Sequence, residues 1–261
     1  MDLNLAGRSV LITGASKGIG AAAARAFAAE GCGAIHLAAR DQAALTARAA
    51  ELQRDFGAKV SVHALDLAKP ASQRALAAAA GEIDILVNNA GAIPRGTLLE
   101  IDEARWRDAW DLKVFGYINL TREIYRMMSA RRRGVIVNVV GMAGERPDAT
   151  YIAAGSGNAA LIYFTEALGG ASLKDGVRVL GVNPGPVLTD RYIGGAERRA
   201  QARFGDSSRW RELLTTLPLG RPAEPEEVAS LVAYLASDQA SYLSGVLVRI
   251  DGGLKVCPPA N

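Results

Sequence analysis

Thr13-Gly14-Ala15-Ser16-Lys17-Gly18-Ile19-Gly20 follows the β-branched run Ser9–Thr13 and opens an alanine-rich segment with helical spacing near 19–30. A strand that ends in a glycine-rich turn and passes straight into a helix is the opening unit of an α/β sheet. The same alternation continues outward from it. Apolar runs recur at 34–38, 60–64, 83–88, 135–140, 177–182 and 246–250, and helical patterns lie near 41–56, 70–80, 103–131, 158–174 and 225–236. The runs are continuously apolar rather than alternating, as expected of parallel strands covered by helices on both faces. With no internal repeat and no linker in 261 residues, the chain reads as one doubly wound α/β domain, 1–261. Its least regular stretch runs from Pro184 to Pro218 and is expected to be a lid or substrate loop, 184–218.

Bulk properties exclude several classes. A composition of 49% hydrophobic and 22% charged residues is that of a globular protein, and a net charge of +3 is too small to imply nucleic acid. The run Arg131-Arg132-Arg133 sits just before an apolar run and reads as a basic helix end that complements the helix dipole. The two cysteines, Cys32 and Cys257, lack metal-type spacing, so no metal site and a reduced, cytoplasmic compartment are expected. The start, Met1-Asp2-Leu3-Asn4-Leu5, has neither a basic region nor an apolar run, so no export signal is expected, and no stretch reaches the ~20 apolar residues of a membrane span.

Glycines at 14, 18 and 20 allow a tight turn and let backbone N–H groups approach a pyrophosphate at a helix N-terminus. Their spacing, Gly-x-x-x-Gly-x-Gly, differs from the Gly-x-Gly-x-x-Gly dinucleotide fingerprint. Together with Asp66-Leu67, Asn88-Asn89-Ala90-Gly91, Asn183-Pro184-Gly185-Pro186-Val187-Leu188-Thr189-Asp190 and the tail from Pro225-Glu226-Glu227-Val228-Ala229 to Asp251-Gly252-Gly253, this spacing resembles the short-chain dehydrogenase/reductase family over nearly the whole chain. The resemblance implies a Rossmann-type, seven-stranded parallel sheet and an NAD(P)-dependent oxidoreductase acting on a carbonyl or alcohol of a small-molecule substrate. It assigns cofactor contacts to Gly14, Ser16, Lys17, Gly18, Ile19 and Gly20, and to Asp66 and Leu67 at the adenine. Asn89, Ala90 and Gly91 follow, and Pro184, Gly185, Val187 and Thr189 reach toward the nicotinamide. It also implies a homodimer or homotetramer, which fits the apolar stripes of 103–131 and 158–174 with Trp106, Trp110, Tyr163 and Phe164.

The choice of nicotinamide cofactor has a physical handle. An NAD-type site places an acid about twenty residues beyond the glycine turn, whereas an arginine there suits the 2′-phosphate. This chain reads Ala38-Ala39-Arg40 at that place, with Lys17 as a second cation, so NADP(H) is expected to be favoured over NAD(H).

The proton-transfer residues depart from what the resemblance implies. The family works with an Asn-Ser-Tyr-Lys set, and in the matching register those places hold Lys113, Gly141, Ala154 and Asn158. No lysine lies between Lys113 and Lys174 and no serine between Ser129 and Ser156, so no shift of register restores the set. The remaining catalytic residues to weigh are Tyr151, Lys113 and Asn158. Positions 151, 154 and 158 share one helix face, so Tyr151 is placed to act as a substitute acid with Lys113 as its activating cation. The alternative is an ordinary wall tyrosine and a lysine lying along a helix interface. Gly155 and Gly157 weaken the helix there, through either a close backbone approach or a late start capped by Asn158. The same residues leave open a second function, a non-catalytic NADP(H)-binding sensor or assembly subunit. Residues 191–212 carry six arginines against Glu197, Asp206 and Glu212, which suits either an anionic substrate or a solvated helix.

Overall fold

The computed structural model describes residues 2–256; Cys257 lies outside the described residues. Seven strands form one parallel sheet: β1 Ser9–Thr13, β2 Ala34–Ala39, β3 Val60–Ala64, β4 Ile85–Asn88, β5 Gly134–Val139, β6 Val177–Pro184 and β7 Leu247–Ile250. Their order is β3-β2-β1-β4-β5-β6-β7. The chain reverses direction across the sheet between β1 and β4, where crevices form outside the strand ends. The helices are α1 Gly18–Ala29, α2 Gln42–Phe56, α3 Pro70–Ala80, α4 Glu103–Trp110, α5 Gly116–Ala130, α6 Ile152–Ala171, α7 Asp190–Phe204 and α8 Pro225–Ala236.

Alternate residues of each strand feed two cores. Ile12, Leu37, Val137 and Leu180 pack under α1, α2 and α8, whereas Leu11, Leu86, Ile136 and Val179 pack under α3 and α5. Local signals set the helix ends. The Asp41 carboxylate accepts from Ala44 N at 3.0 Å and starts α2, and Gly57 stops it in a left-handed conformation at φ +66°. The three arginines after α5 each find a partner, while Arg132 and Arg133 stay exposed to solvent. Arg131 donates to the Ile83 carbonyl, Arg132 to the Lys174 carbonyl at 2.8 Å, and Arg133 pairs with Asp84 at 3.2 Å.

Three expectations need correction. The pattern over 103–131 is not one regular helix, because a π turn, Asp111–Phe115, joins α4 to α5. The stretch 184–218 is mostly helical: α7 is followed by a 3₁₀ segment, Ser207–Thr216. Its Gly194-Gly195 pair and exposed charges hid the period. Trp106 and Trp110 are not spare surface, since both pack around Ile93, Ile101 and Ala153, and Phe164 packs beside Leu161. Of the four aromatics, Tyr163 alone stands exposed, at 75%.

Candidate active site

The glycine turn is built so that only hydrogen fits at its crossing point. Gly14 and Gly18 sit at φ +67° and +57°, a region that favours glycine. A Cβ on Gly20 would collide with the Gly14 carbonyl and stand 2.6 Å from Asn89 Nδ2. Asn89 explains the close fit, because its Nδ2 donates to the carbonyls of Thr13 at 3.0 Å and Gly14 at 3.2 Å. The buried Thr13 hydroxyl accepts from Asn89 N at 2.9 Å and Ala90 N at 3.0 Å. The turns after β1 and β4 are thereby fixed as one piece. The first bond inside α1 runs from Ala21 N to Lys17 O at 3.4 Å, which leaves the N–H groups of Gly18, Ile19 and Gly20 at the helix mouth. That mouth fits the pyrophosphate of a dinucleotide.

From the turn a cleft of about 1590 Å³ runs across the C-terminal ends of the strands. Every expected cofactor position lines it except Gly20 and Asp66. Gly20 is buried behind the turn, and the Asp66 carboxylate accepts from Ala68 N at 3.2 Å, holding the chain after β3. At the other end, Asp41 is occupied as the α2 cap. Arg40 and Lys17 are exposed on the cleft wall, with no carboxylate partner among the described residues.

Near the far end of the cleft lies a cavity of about 80 Å³, lined by Lys113, Tyr151, Ala154, Asn158 and Arg191 among others. The π turn carries Lys113 inward, leaving it 7% exposed. Its Nζ donates to Tyr117 Oη and to the Val139 carbonyl, both at 2.7 Å, and Tyr117 Oη donates to the same carbonyl at 2.9 Å. Gly91 makes room for it, since a Cβ there would overlap the lysine stem. Burial pushes the Lys113 ammonium down to about 7, with the nearby Arg191 charge adding to the shift. An amine of that acidity, holding three donors of which two are engaged, can give or take a proton at neutral pH.

Tyr151 stands at the start of α6, and its expected pairing with Lys113 does not form. Its Oη accepts from Arg191 Nη2 at 3.1 Å, while the Arg95 guanidinium lies 4.6 Å from the ring centroid. Arg191 also donates to the carbonyls of Gly91 at 3.2 Å and Ile93 at 2.5 Å, which clamps α7 onto the loop after β4. The cation beside the phenol is therefore an arginine brought from forty residues away in sequence. No sequence spacing announces that contact. Tyr117, by contrast, stands four residues after Lys113, a pairing that helical periodicity offers.

Asn158 does not start a helix, because α6 runs unbroken from Ile152. Its Nδ2 donates to the Gly141 carbonyl at 3.2 Å. The close-approach reading of the glycines holds: a Cβ on Gly157 would lie 3.0 Å from Val114 Cγ2 and 3.1 Å from Trp110 Nε1. Gly141 adopts φ +125°, and a Cβ there would meet Asn158 Nδ2 at 3.0 Å. Among the described residues no cluster of His, Cys, Asp and Glu could hold a metal ion, and no helix is long and apolar enough to cross a membrane.

The chain matches the family model described as short chain dehydrogenase over residues 8–198. It is 33% identical to the 3-oxoacyl-(acyl-carrier-protein) reductase of Vibrio cholerae, over 97% of this chain and 99% of that protein. It is 35% identical to galactitol 2-dehydrogenase (L-tagatose-forming) of Cereibacter sphaeroides, over 97% and 96%. Among solved structures, L-sorbose reductase from Gluconobacter frateurii, complexed with NADPH and L-sorbose, superposes with a TM-score of 0.92 at 33% identity, covering 99% of this chain and all of that one.

Proposed function

The chain belongs to the short-chain dehydrogenase family of NAD(P)-dependent oxidoreductases, and on that premise we propose that it reduces a small-molecule carbonyl with NADPH, using Lys113 as the proton source. The observation that carries this reading is a buried amine, lowered to about 7, in the same cavity as Tyr151 at the far end of the cofactor cleft. NADPH bound in that cleft supplies the hydride.

The chain's own groups divide the remaining work. The Gly18–Gly20 mouth holds the pyrophosphate, Arg40 and Lys17 meet the 2′-phosphate, and the segment Pro184–Thr189 borders the nicotinamide end. Tyr151 accepts from Arg191 and has no acceptor for its own hydrogen among the described residues, so that hydrogen can orient a carbonyl oxygen. Lys113 then gives its proton to the oxygen as negative charge develops there. The helical segment after Thr189, anchored by Arg191, serves as the substrate wall expected at 184–218. Exposed Phe115 and Tyr163, on the π turn and α6, fit an isologous contact between copies of the chain.

Two measurements test these assignments. For the cofactor, Arg40→Asp is expected to weaken NADPH binding by about tenfold or more and to invert the preference toward NADH, read by titration calorimetry. Equal affinities in the wild type would remove the phosphate role from Arg40. For the proton, NADPH consumption is followed across pH with a panel of ketones and aldehydes. Reduction needs the protonated amine, so the rate should hold below pH about 7 and fall about tenfold per pH unit above it. Tyr151→Phe should keep that pH profile and lower its plateau by about tenfold, the worth of one orienting hydrogen bond. A flat profile through neutrality would exclude Lys113 as the donor. A protein that binds NADPH and reduces nothing would favour the non-catalytic function.

A further inference from the structure

The structure sorts the six arginines of residues 191–212 into groups with different roles. Arg209 is neutralised by Glu212 at 2.7 Å, and Arg211 lies 4.6 Å from the Trp210 ring centroid, away from the cleft. Arg191 is spent on two backbone carbonyls and the Tyr151 phenol. Arg198, Arg199 and Arg203 remain, and all three line the cleft beyond the small cavity. None of them has a carboxylate partner among the described residues.

Their placement is built into α7. Arg199 and Arg203 stand one helical turn apart, and Gly195 stands one turn before Arg199. Arg198 Nη1 lies 3.7 Å from the point where a Cβ on Gly194 would stand, and Arg199 Nη1 lies 3.6 Å from the corresponding point on Gly195. Both guanidiniums thus fold back over the Gly194-Gly195 pair. Two glycines inside a helix cost about 1 kcal/mol each relative to alanine, and here they give the two guanidiniums room to lie against the helix. Partial burial lowers the Arg199 guanidinium from its ordinary value; Tyr192 opposes that shift, and the charges of Arg95 and Arg198 add to it. Arg146, exposed on the opposite wall and likewise unpaired, faces the same space, whereas the nearby Asp148 is engaged by Thr150 and Arg95.

We propose that Arg198, Arg199 and Arg203 form an anion-binding subsite, and that the substrate carries a carboxylate or phosphate on the end remote from its carbonyl. This rests on the carbonyl-reductase reading and deepens it by naming the substrate class. Guanidiniums bind both anions through charge-assisted, often bidentate hydrogen bonds, so the two headgroups share one chemistry.

The test is titration calorimetry of the full-length protein with inorganic pyrophosphate and with glutarate, under saturating NADP⁺. The cofactor covers Arg40 and Lys17, so the heat reports the remaining arginines. Binding of either anion is expected in the wild type, and its loss by about tenfold or more in Arg198→Gln/Arg199→Gln/Arg203→Gln. These are exposed positions where substitution is usually within about 0.5 kcal/mol of neutral for stability. NADP⁺ affinity should be unchanged within about twofold. The tighter of the two anions names the headgroup. Absence of binding in the wild type, or equal binding in the triple variant, overturns the subsite. Kinetics give an independent readout with straight-chain oxo acids of increasing length and their methyl esters. The acid should be favoured by about tenfold through KM at one length, and that preference should vanish in the triple variant. Reduction of esters and acids alike would sink the subsite while leaving the reductase standing. Should NADP⁺ itself fail to bind, hydride transfer falls, and the same anion titration on Arg40→Asp protein still decides for or against the α7 arginines.

Discussion

Lys113→Met is expected to slow carbonyl reduction by about 10²-fold or more and, in the same protein, to raise the unfolding free energy at pH 7 by on the order of 4 kcal/mol. The two effects have one origin. The amine titrates at 10.5 when unperturbed and at about 7 when buried. Between those values the unfolded chain holds one proton more than the folded one, so native stability rises with pH. The contribution is fully present above 10.5, is lost as pH falls toward 7, and below that the fold bears the whole cost of a buried ammonium. Methionine keeps the apolar stem and removes the charge. The Val139 carbonyl stays satisfied, because Tyr117 Oη already donates to it at 2.9 Å. Denaturant unfolding of both proteins from roughly pH 6 to pH 10, beside kcat with saturating NADPH, checks both halves. The stability curves should converge toward high pH. A variant less stable than the wild type at acid pH, with turnover intact, would make Lys113 a packing residue.

Gly20→Ala should abolish useful cofactor binding, weakening NADPH by about 10²-fold or more, and should destabilise the fold by about 1–3 kcal/mol or more. The added methyl has nowhere to go. It meets the Gly14 carbonyl on one side and Asn89 Nδ2 at 2.6 Å on the other. Neither can retreat, because Asn89 is held on Thr13 and Gly14 by bonds of 3.0 and 3.2 Å. Relief therefore requires parting the turns after β1 and β4, which misplaces the open N–H groups at the α1 mouth. Fluorescence titration of NADPH and the thermal midpoint report the two effects. Wild-type affinity in the alanine variant would show that the turn tolerates this opening.

The strands and the turns that follow them were legible because each depends on local pattern, and most of the positions expected at a cofactor line one cleft. Apolar runs mark strands, and Gly14 and Gly18 occupy backbone conformations that favour glycine. The α7 helix was not legible, since Gly194-Gly195 and four arginines, at 191, 198, 199 and 203, mask its apolar face. The geometry around Lys113 was only partly legible. Lys113 and Tyr151 do meet at one cavity, yet their partners are Tyr117 and Arg191 respectively. The first partner follows from helical spacing. The second depends on where α7 lands against the loop after β4, which is a property of the folded sheet.

The backbone at Gly141 constrains which substitutions this site can accept. At φ +125° the position resists any side chain, and the Asn158 amide stands 3.0 Å from where one would begin. A side chain at 141 would therefore strain the backbone and crowd the Asn158 amide. Relief needs the peptide to reorient or the Asn158 amide, which bonds the Gly141 carbonyl, to move aside. Gly141 and Asn158 are thus coupled: a change at either one disturbs the backbone or the amide that the other depends on.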